Sequence, residues 1–225
     1  MQSTASEEKS EYLQIQASDN AAELICQRRA WEPELLDALM SKNAISVSVA
    51  RIAPKGGIQL EFKMAGRVTH RSWLNGRTIT SDEVRNGPWV WSNPGNDGFC
   101  LVVDHPIDFL EIVAVEEWIL PCLSIVIAGA EPDYVATLIA KGEIKNTLLV
   151  ASPSYSLRSI SIRPIAAIHH VKLHQTSPMP FQDWAEARDK ALNADEDRAW
   201  DILTKLEKTL LGILFKNNDI EMTRQ

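Results

Sequence analysis

Alternation of apolar and polar residues is clearest between residues 44 and 64. The stretch Ala44–Ile52 alternates with a period of two, Pro54–Gly57 provides a turn, and Ile58–Met64 alternates again. A period of two places successive side chains on opposite faces of a strand, and a short turn joins two such strands. The pattern therefore predicts a β-hairpin. Its buried face is predicted to carry Val47, Val49, Leu60 and Phe62.

Helical spacing of apolar residues marks both ends of the chain. Residues 20–42 contain one such run, and Pro33 divides it, because proline is tolerated in a first helical turn but not inside a helix. Residues 181–217 contain a second run, which Asn193–Asp195 breaks or caps. We therefore predict a helical hairpin at 20–42 and a helical segment at 181–217. The polar residues 1–19 are interpreted as an arm without an assigned function.

Apolar runs between these two ends supply most of the core. Phe99–Val103 and Thr147–Ala151 are predicted strands, and Glu131–Lys141 is a predicted helix with a proline in its first turn. The runs 108–115 and 119–128 are compatible with a buried strand or a short helix, because periodicity does not separate the two over such lengths. The succession of strand, helix and strand indicates either a crossover unit or an α+β domain.

The complete pattern predicts an α+β fold. A central, mainly antiparallel sheet is expected over residues 44–172, with the helical hairpin before it and the C-terminal helical segment after it. The expected domain spans residues 20–176 and is followed by the helical segment. The chain has 225 residues, of which 45% are hydrophobic, and this is sufficient for a sizeable core.

The apolar runs, the first residues and the cysteines indicate where the protein is located. The longest apolar run, Trp118–Ala130, is interrupted by Pro121 and is too short to cross a bilayer. The first residues lack the basic and apolar regions of a signal peptide. Cys26, Cys100 and Cys122 are widely spaced, which is typical of buried thiols rather than of disulfides or a zinc knuckle. A cytoplasmic protein without membrane contacts is therefore expected.

The net charge of −7 is distributed unevenly along the chain. Residues 43–94 carry seven Lys and Arg against three Asp and Glu, and residues 144–182 carry four against none. The segment between them, 95–143, carries one against nine. Two basic segments could share one face and attract a polyanion, whatever the total charge. The alternative is a solvated surface of mixed sign.

The two basic segments differ in their predicted structure. Three tryptophans and four arginines lie between Gly66 and Phe99, where turn signals such as Asn75-Gly76 recur, so these side chains are expected to project from short strands or turns. Within the stretch Ser152–Lys172, residues 156–163 alternate approximately and are predicted to be a strand. Its exposed side would carry hydroxyl and guanidinium groups, which suit phosphate oxygens and stacked bases.

Signatures of catalysis and of metal binding are weak by comparison. His169 and His170 are adjacent, and no carboxylate near them or near His174 could orient an imidazole ring. His70 could act in phosphodiester chemistry only beside a second histidine. The common nucleotide-binding, hydrolase and metalloprotease motifs are missing from the sequence. We therefore predict no catalytic residue, no bound metal and no cofactor.

The favoured function is non-catalytic binding of nucleic acid, DNA or RNA, within a larger bacterial or phage nucleoprotein assembly that contains other protein subunits. Arginines would neutralise phosphates or bind a guanine edge, and aromatic rings would stack on bases. The predicted nucleic-acid-binding residues are Arg67, Arg71, Trp73, Arg77, Arg85, Trp89, Trp91, Tyr155, Arg158 and Arg163.

Two other functions compete with this one. A protein-only adaptor or inhibitor would use Trp89 and Trp91 as anchors, and its acidic segment 95–143 would face a basic partner. An unusual nuclease or other hydrolase would depend on His70 or His169.

Overall fold

The chain divides into two compact units, Met1–Trp89 and Val90–Gln225. A computed structural model describes residues 21–50, 57–82, 87–93, 98–152, 162–176, 178 and 180–215. The described part of the first unit contains two α-helices and an antiparallel sheet. The described part of the second contains a mainly parallel sheet and five α-helices.

Two short helices begin the described part of the first unit. Helix α1 spans Ala21–Arg29 and helix α2 spans Pro33–Ser41, with Pro33 in the first turn, where its missing N–H costs no hydrogen bond. Ala30, between the helices, has a φ of 50°. The two helices pack on each other and on the first strand of the sheet. The predicted helical hairpin is therefore present.

The sheet of the first unit has four antiparallel strands in chain order. They are β1 (Ile45–Ala50), β2 (Gly57–Met64), β3 (Arg67–Asn75) and β4 (Thr78–Asp82). Val47 of β1 lies opposite Leu60 of β2, which confirms the β-hairpin predicted from the alternating pattern. A register shift at Phe62 and Lys63 interrupts the regular pairing of β2 with β3.

The core of the first unit includes the ring of Trp89. This ring is fully buried and contacts the ring of Phe62 edge-on, with 5.7 Å between the centroids. Its indole N–H donates to the carbonyl oxygen of Ala44 at 3.1 Å. Both the apolar body and the polar atom of this tryptophan are therefore satisfied inside the fold.

The second sheet contains five strands, which are β5 (Trp89–Ser92), β6 (Phe99–Val103), β7 (Leu123–Ala128), β8 (Thr147–Ala151) and β9 (Lys172–Thr176). Their order across the sheet is β5-β7-β6-β8-β9. Strand β6 is parallel to both β7 and β8, and β8 is parallel to β9. All five residues of β6 are buried, which is typical of a parallel strand covered on both faces.

Helices cover both faces of the parallel sheet. They are α3 (Pro106–Val115), α4 (Pro132–Ala140), α5 (Ile162–Ile168), α6 (Trp184–Leu192) and α7 (Glu196–Phe215), and a 3₁₀ helix spans Glu117–Cys122. The connections that contain α3 and α4 cross the sheet in opposite directions, so right-handed crossovers place the two helices on opposite faces. Helix α5 packs beside α4, whereas α6 and α7 pack against α3.

The predicted α+β class, an antiparallel sheet and helices near both ends of the chain are confirmed. The strands expected to form one sheet over 44–172 instead form two, because helices connect the later strands and such crossovers produce parallel pairing. Ile162 and Arg163, expected at the end of a strand, instead begin α5, in which Ile162, Ile165 and Ala166 recur at helical spacing.

Two further expectations concern the ends and the limits of the domain. The arm at 1–19 lies outside the described residues. The domain limits drawn from the sequence, 20–176 and 181–217, stay predictions. Within the part of the chain that the structure describes, no helix is both long enough and apolar enough to cross a membrane.

Candidate functional site

The outer face of the antiparallel sheet carries an arginine and a tryptophan on one strand. Arg71 and Trp73 are two residues apart on β3, so their side chains leave the strand on the same side. Ser72 and Leu74, which alternate with them, are fully buried. Arg71 and Trp73 are each partly exposed, and 42% of the Arg71 side chain is accessible.

Polar residues of the neighbouring strands surround this pair. Arg71 lies opposite Glu61, and its Nε donates to Oε1 of Glu61 at 3.0 Å. The same oxygen accepts a hydrogen bond from Nε2 of Gln59, also at 3.0 Å. Trp73 is paired with Gln59 on one side and with Thr80 on the other. The ion pair uses Nε of Arg71, so it does not itself occupy the two terminal nitrogen atoms of the guanidinium group.

Two further predicted arginines lie at the ends of β3, and both are exposed. Arg67 is the first residue of the strand, and Arg77 lies in the turn to β4. Helix α1 holds this turn, because Arg28 donates to the carbonyl oxygen of Gly76 at 3.4 Å and Arg29 donates to that of Arg77. Arg29 is fully buried. Local sequence contains no signal for this contact, which joins residues 48 positions apart.

Two tryptophans of the predicted site are buried, Trp89 in the first unit and Trp91 in the second. Trp89 is 0% exposed and Trp91 is 7% exposed. The Trp91 ring stacks on that of Phe109, with 5.6 Å between the centroids and 27° between the planes. In this structure neither ring is accessible to a base or to a protein partner, which corrects the expectation that both face outward. The alternation of Trp89, Val90, Trp91 and Ser92 is the signal for their burial.

The second basic segment contributes one described residue to the predicted site. Arg163 is exposed on α5, and its Nη2 donates to Oε1 of Gln175 at 3.2 Å. It therefore projects from a helix instead of the predicted strand face. Tyr155 and Arg158, together with Arg85 of the first basic segment, lie outside the described residues.

The histidines weighed for catalysis are dispersed. His70 lies on the core face of β3, is 8% exposed, and has its Nδ1 at 3.0 Å from Oγ1 of Thr69. Burial lowers the pKa of His70 to about 4, so its ring is neutral near pH 7. His169 and His170 are exposed after α5, whereas His174 is half-buried on β9. These environments do not favour acid–base chemistry.

A second candidate site lies at the carboxyl end of the parallel sheet. Asp104 directly follows β6, Ser152 directly follows β8, and the Ser152 hydroxyl donates to Oδ2 of Asp104. Strand β6 is followed in the chain by β7 on one side of it, whereas β8 is followed by β9 on the other side, so the direction of the connections reverses between β6 and β8. Such a switch point is where ligands bind in open α/β sheets.

Two more carboxylates lie near Asp104. Oδ1 of Asp108 accepts from the backbone N–H of Trp184 at 3.1 Å, and Oδ2 accepts from that of His105 at 3.3 Å. Burial raises the pKa of Asp108 well above its usual range, and the negative charges of Asp183 and Asp104 act in the same direction. Burial also raises the pKa of Asp183. Three carboxyl groups therefore cluster at this end of the sheet, an arrangement that sequence cannot show without the strand order.

No group of three or more His, Cys, Asp and Glu side chains is arranged to hold a metal ion among the residues with described positions. Comparisons with protein-family models, with curated proteins and with solved structures find no match for this chain.

Proposed function

We propose that the first unit binds nucleic acid on the outer face of its antiparallel sheet, as a non-catalytic subunit of a larger nucleoprotein assembly. The observation that carries this proposal is the placement of Arg71 and Trp73 on one accessible face of β3. Side chains two residues apart on a strand are separated by about 7 Å. A guanidinium group and an indole ring at this spacing can contact a phosphate and a neighbouring base of a single strand together.

The distribution of charge supports the same face. Residues 43–94, which include the whole antiparallel sheet, carry seven basic against three acidic side chains. Arg77, in the turn after β3, adds an exposed positive charge at one end of the strand, whereas the register shift pairs Arg67 with Met64 and so turns Arg67 away from the face of Arg71. The first unit has equal numbers of acidic and basic residues, so the net charge of −7 arises in the second unit. A local positive strip attracts a polyanion even when the whole protein is acidic.

Fluorescence anisotropy with labelled single-stranded DNA and RNA at low salt tests the proposal. Arg71→Ala is expected to weaken binding and to reduce the slope of log affinity against log salt by about one, because one phosphate contact is lost. Trp73→Ala is expected to cost about 1–3 kcal/mol of binding free energy, the usual contribution of one stacked base.

Matched controls are available on α7. Arg198 and Trp200 are exposed on this helix of the second unit, and Arg198→Ala and Trp200→Ala are expected to leave the affinity unchanged. Equal losses in the sheet variants and in these controls would contradict the proposal. So would the lack of binding to both oligonucleotides at low salt.

A contribution of the second basic segment, further protein partners and a cytoplasmic location are also proposed. Arg163→Ala tests whether the second basic segment contributes to binding. Other protein subunits are proposed as partners, and a cytoplasmic location is proposed because Cys26, Cys100 and Cys122 are free thiols, which suits a reducing compartment. The competing adaptor function receives less support, because the two tryptophans expected to anchor a partner are buried.

The hydrogen bond between Ser152 and Asp104 favours a second candidate function. We propose that the second unit binds a small ligand whose hydroxyl or amino groups donate to carboxylate oxygens at the switch point. Thermal-shift assays of the full chain with ribose, adenosine and spermidine test this. A shift that disappears in Asp104→Asn and in Ser152→Ala is expected, and a shift that persists in both variants would place the ligand elsewhere.

A further inference from the structure

A groove of about 410 Å³ lies between α1 and α2 in the first unit. It is separate from the sheet face that carries Arg71 and Trp73. Cys26, Trp31 and Leu36 line its apolar part, and Glu23, Gln27 and Asp37 line its polar part. Its volume falls within the usual range of protein pockets that bind ligands.

The apolar part of the groove is lined by buried side chains. Leu36 is 1% exposed, Trp31 is 4% exposed and Cys26 is 6% exposed. The indole N–H of Trp31 is buried, and no residue of the described chain accepts a hydrogen bond from it. A buried donor without an acceptor is unfavourable.

The polar part of the groove is acidic. Glu23 and Asp37 are both exposed, and Glu23 accepts a hydrogen bond from Gln27 at 3.3 Å. Burial, followed by the negative charges of Asp37, Glu32 and Glu34, raises the pKa of the Cys26 thiol to about 11. Several carboxylates therefore act on the same small volume.

The two arginines of α1 point to a different part of the unit. Arg28 and Arg29 donate to the carbonyl oxygens of Gly76 and Arg77 in the turn between β3 and β4. The carboxylates of Glu23 and Asp37 line the groove. A ligand that complements the groove needs positive charge and apolar surface together.

We propose that this groove binds a basic segment of a protein partner. The methylene groups of lysine or arginine side chains cover the apolar part, and their charged ends pair with Glu23 and Asp37. The groove has room for side chains of a peptide but not for a folded domain.

The test uses the full chain and two labelled heptapeptides, one of alternating Lys and Leu and one of alternating Glu and Leu. Fluorescence anisotropy is expected to show binding of the Lys peptide and none of the Glu peptide. The double variant Glu23→Gln/Asp37→Asn is expected to weaken binding about fivefold to tenfold, as the loss of two exposed ion pairs implies. Ala22→Phe, which fills the groove without a change in charge, is expected to weaken it at least as much.

A matched control separates the groove from general attraction to an acidic protein. Glu143→Gln/Glu207→Gln removes two exposed carboxylates from the second unit and is expected to leave binding unchanged. Equal effects of the two double variants would overturn the proposal, as would full binding by Ala22→Phe. Equal binding of the two peptides, or none of the Lys peptide, would overturn it too.

Discussion

The side chain of Asp108 accepts a hydrogen bond from the backbone N–H of Trp184 at 3.1 Å, so a carboxyl group of α3 caps the N-terminus of α6. The same side chain also accepts from the N–H groups of Ala185 and His105, each at 3.3 Å. Three backbone donors from two helix ends therefore depend on one buried residue. This contact joins α3 to α6 in the second unit.

Removal of this side chain is expected to destabilise the protein substantially. Asp108→Ala leaves three backbone N–H groups without their acceptor in a buried site, and we expect the free energy of unfolding to fall by about 2–4 kcal/mol. Urea unfolding followed by circular dichroism measures the change. Asp133→Ala, at the exposed first turn of α4, serves as the control and is expected to cost less than about 1 kcal/mol. Equal losses would contradict the role of Asp108.

Protonation of Asp108 gives a characteristic pH dependence. Because burial raises the pKa of this carboxyl in the folded state, its contribution to stability is complete below the pKa of the unfolded chain, about 3.9, and is lost as the pH rises. We expect the free energy of unfolding of the wild type, relative to that of Asp108→Asn, to decrease from about pH 4 to pH 7. Urea titrations across this range test the sign, and a difference that increases with pH would contradict it.

Local patterns were sufficient to predict the β-hairpin but not the pairing of the later strands. Val47 and Leu60 alternate with polar neighbours, and a short turn joins their strands, so the register follows from nearby residues. The order of β6, β7 and β8 depends on helices that cross the sheet. A buried run of apolar residues has no alternation to show which strand will lie beside it.

In the candidate sites, too, sequence predicts residues that share one strand but not contacts between distant parts of the chain. Arg71 and Trp73 could be found from sequence because one strand positions both. Trp89 and Trp91 were placed on the surface because a turn-rich, arginine-containing stretch suggested exposure, whereas their own alternation directs both rings inward. The contact of Asp108 with Trp184 joins residues 76 positions apart, so no local pattern reveals it.

A buried ion pair links α3 to α6 beside this cap. Nε of Arg188 lies 3.2 Å from Oε2 of Glu111, and the two side chains are 5% and 0% exposed. Arg188→Met leaves a buried carboxylate without this partner and is expected to lower the free energy of unfolding by about 3–5 kcal/mol. The double variant Glu111→Leu/Arg188→Met is expected to recover most of this loss. Urea unfolding of both single variants and the double variant measures the coupling, and additive losses would contradict it.

Burial of His70 predicts a pH dependence of stability that is opposite in sign to that of Asp108. The pKa of this imidazole is lowered from 6.5 to about 4 in the folded state, so its contribution is complete above pH 6.5 and is lost as the pH falls. As the pH is lowered from 6.5 to about 4, the free energy of unfolding of the wild type, relative to that of His70→Phe, is expected to decrease. In the steepest part of this range the decrease is about 1.4 kcal/mol per pH unit. His169→Gln, at an exposed position, is the control and is expected to keep the wild-type slope. A slope unchanged in His70→Phe would show that this histidine does not titrate as described.

Glu61 is expected to restrain the proposed nucleic-acid interface, because its carboxylate binds Nε of Arg71 at 3.0 Å. Glu61→Gln removes one negative charge beside Arg71. Since exposed ion pairs contribute about 0.2–1 kcal/mol, the affinity for a single-stranded oligonucleotide is expected to rise by up to about fivefold. Anisotropy titrations of Glu61→Gln, Arg71→Ala and the double variant separate a specific effect from a general one. If Glu61 acts through Arg71, the gain disappears in the Arg71→Ala background, whereas an equal gain in both backgrounds would mean that only the net charge of the face matters.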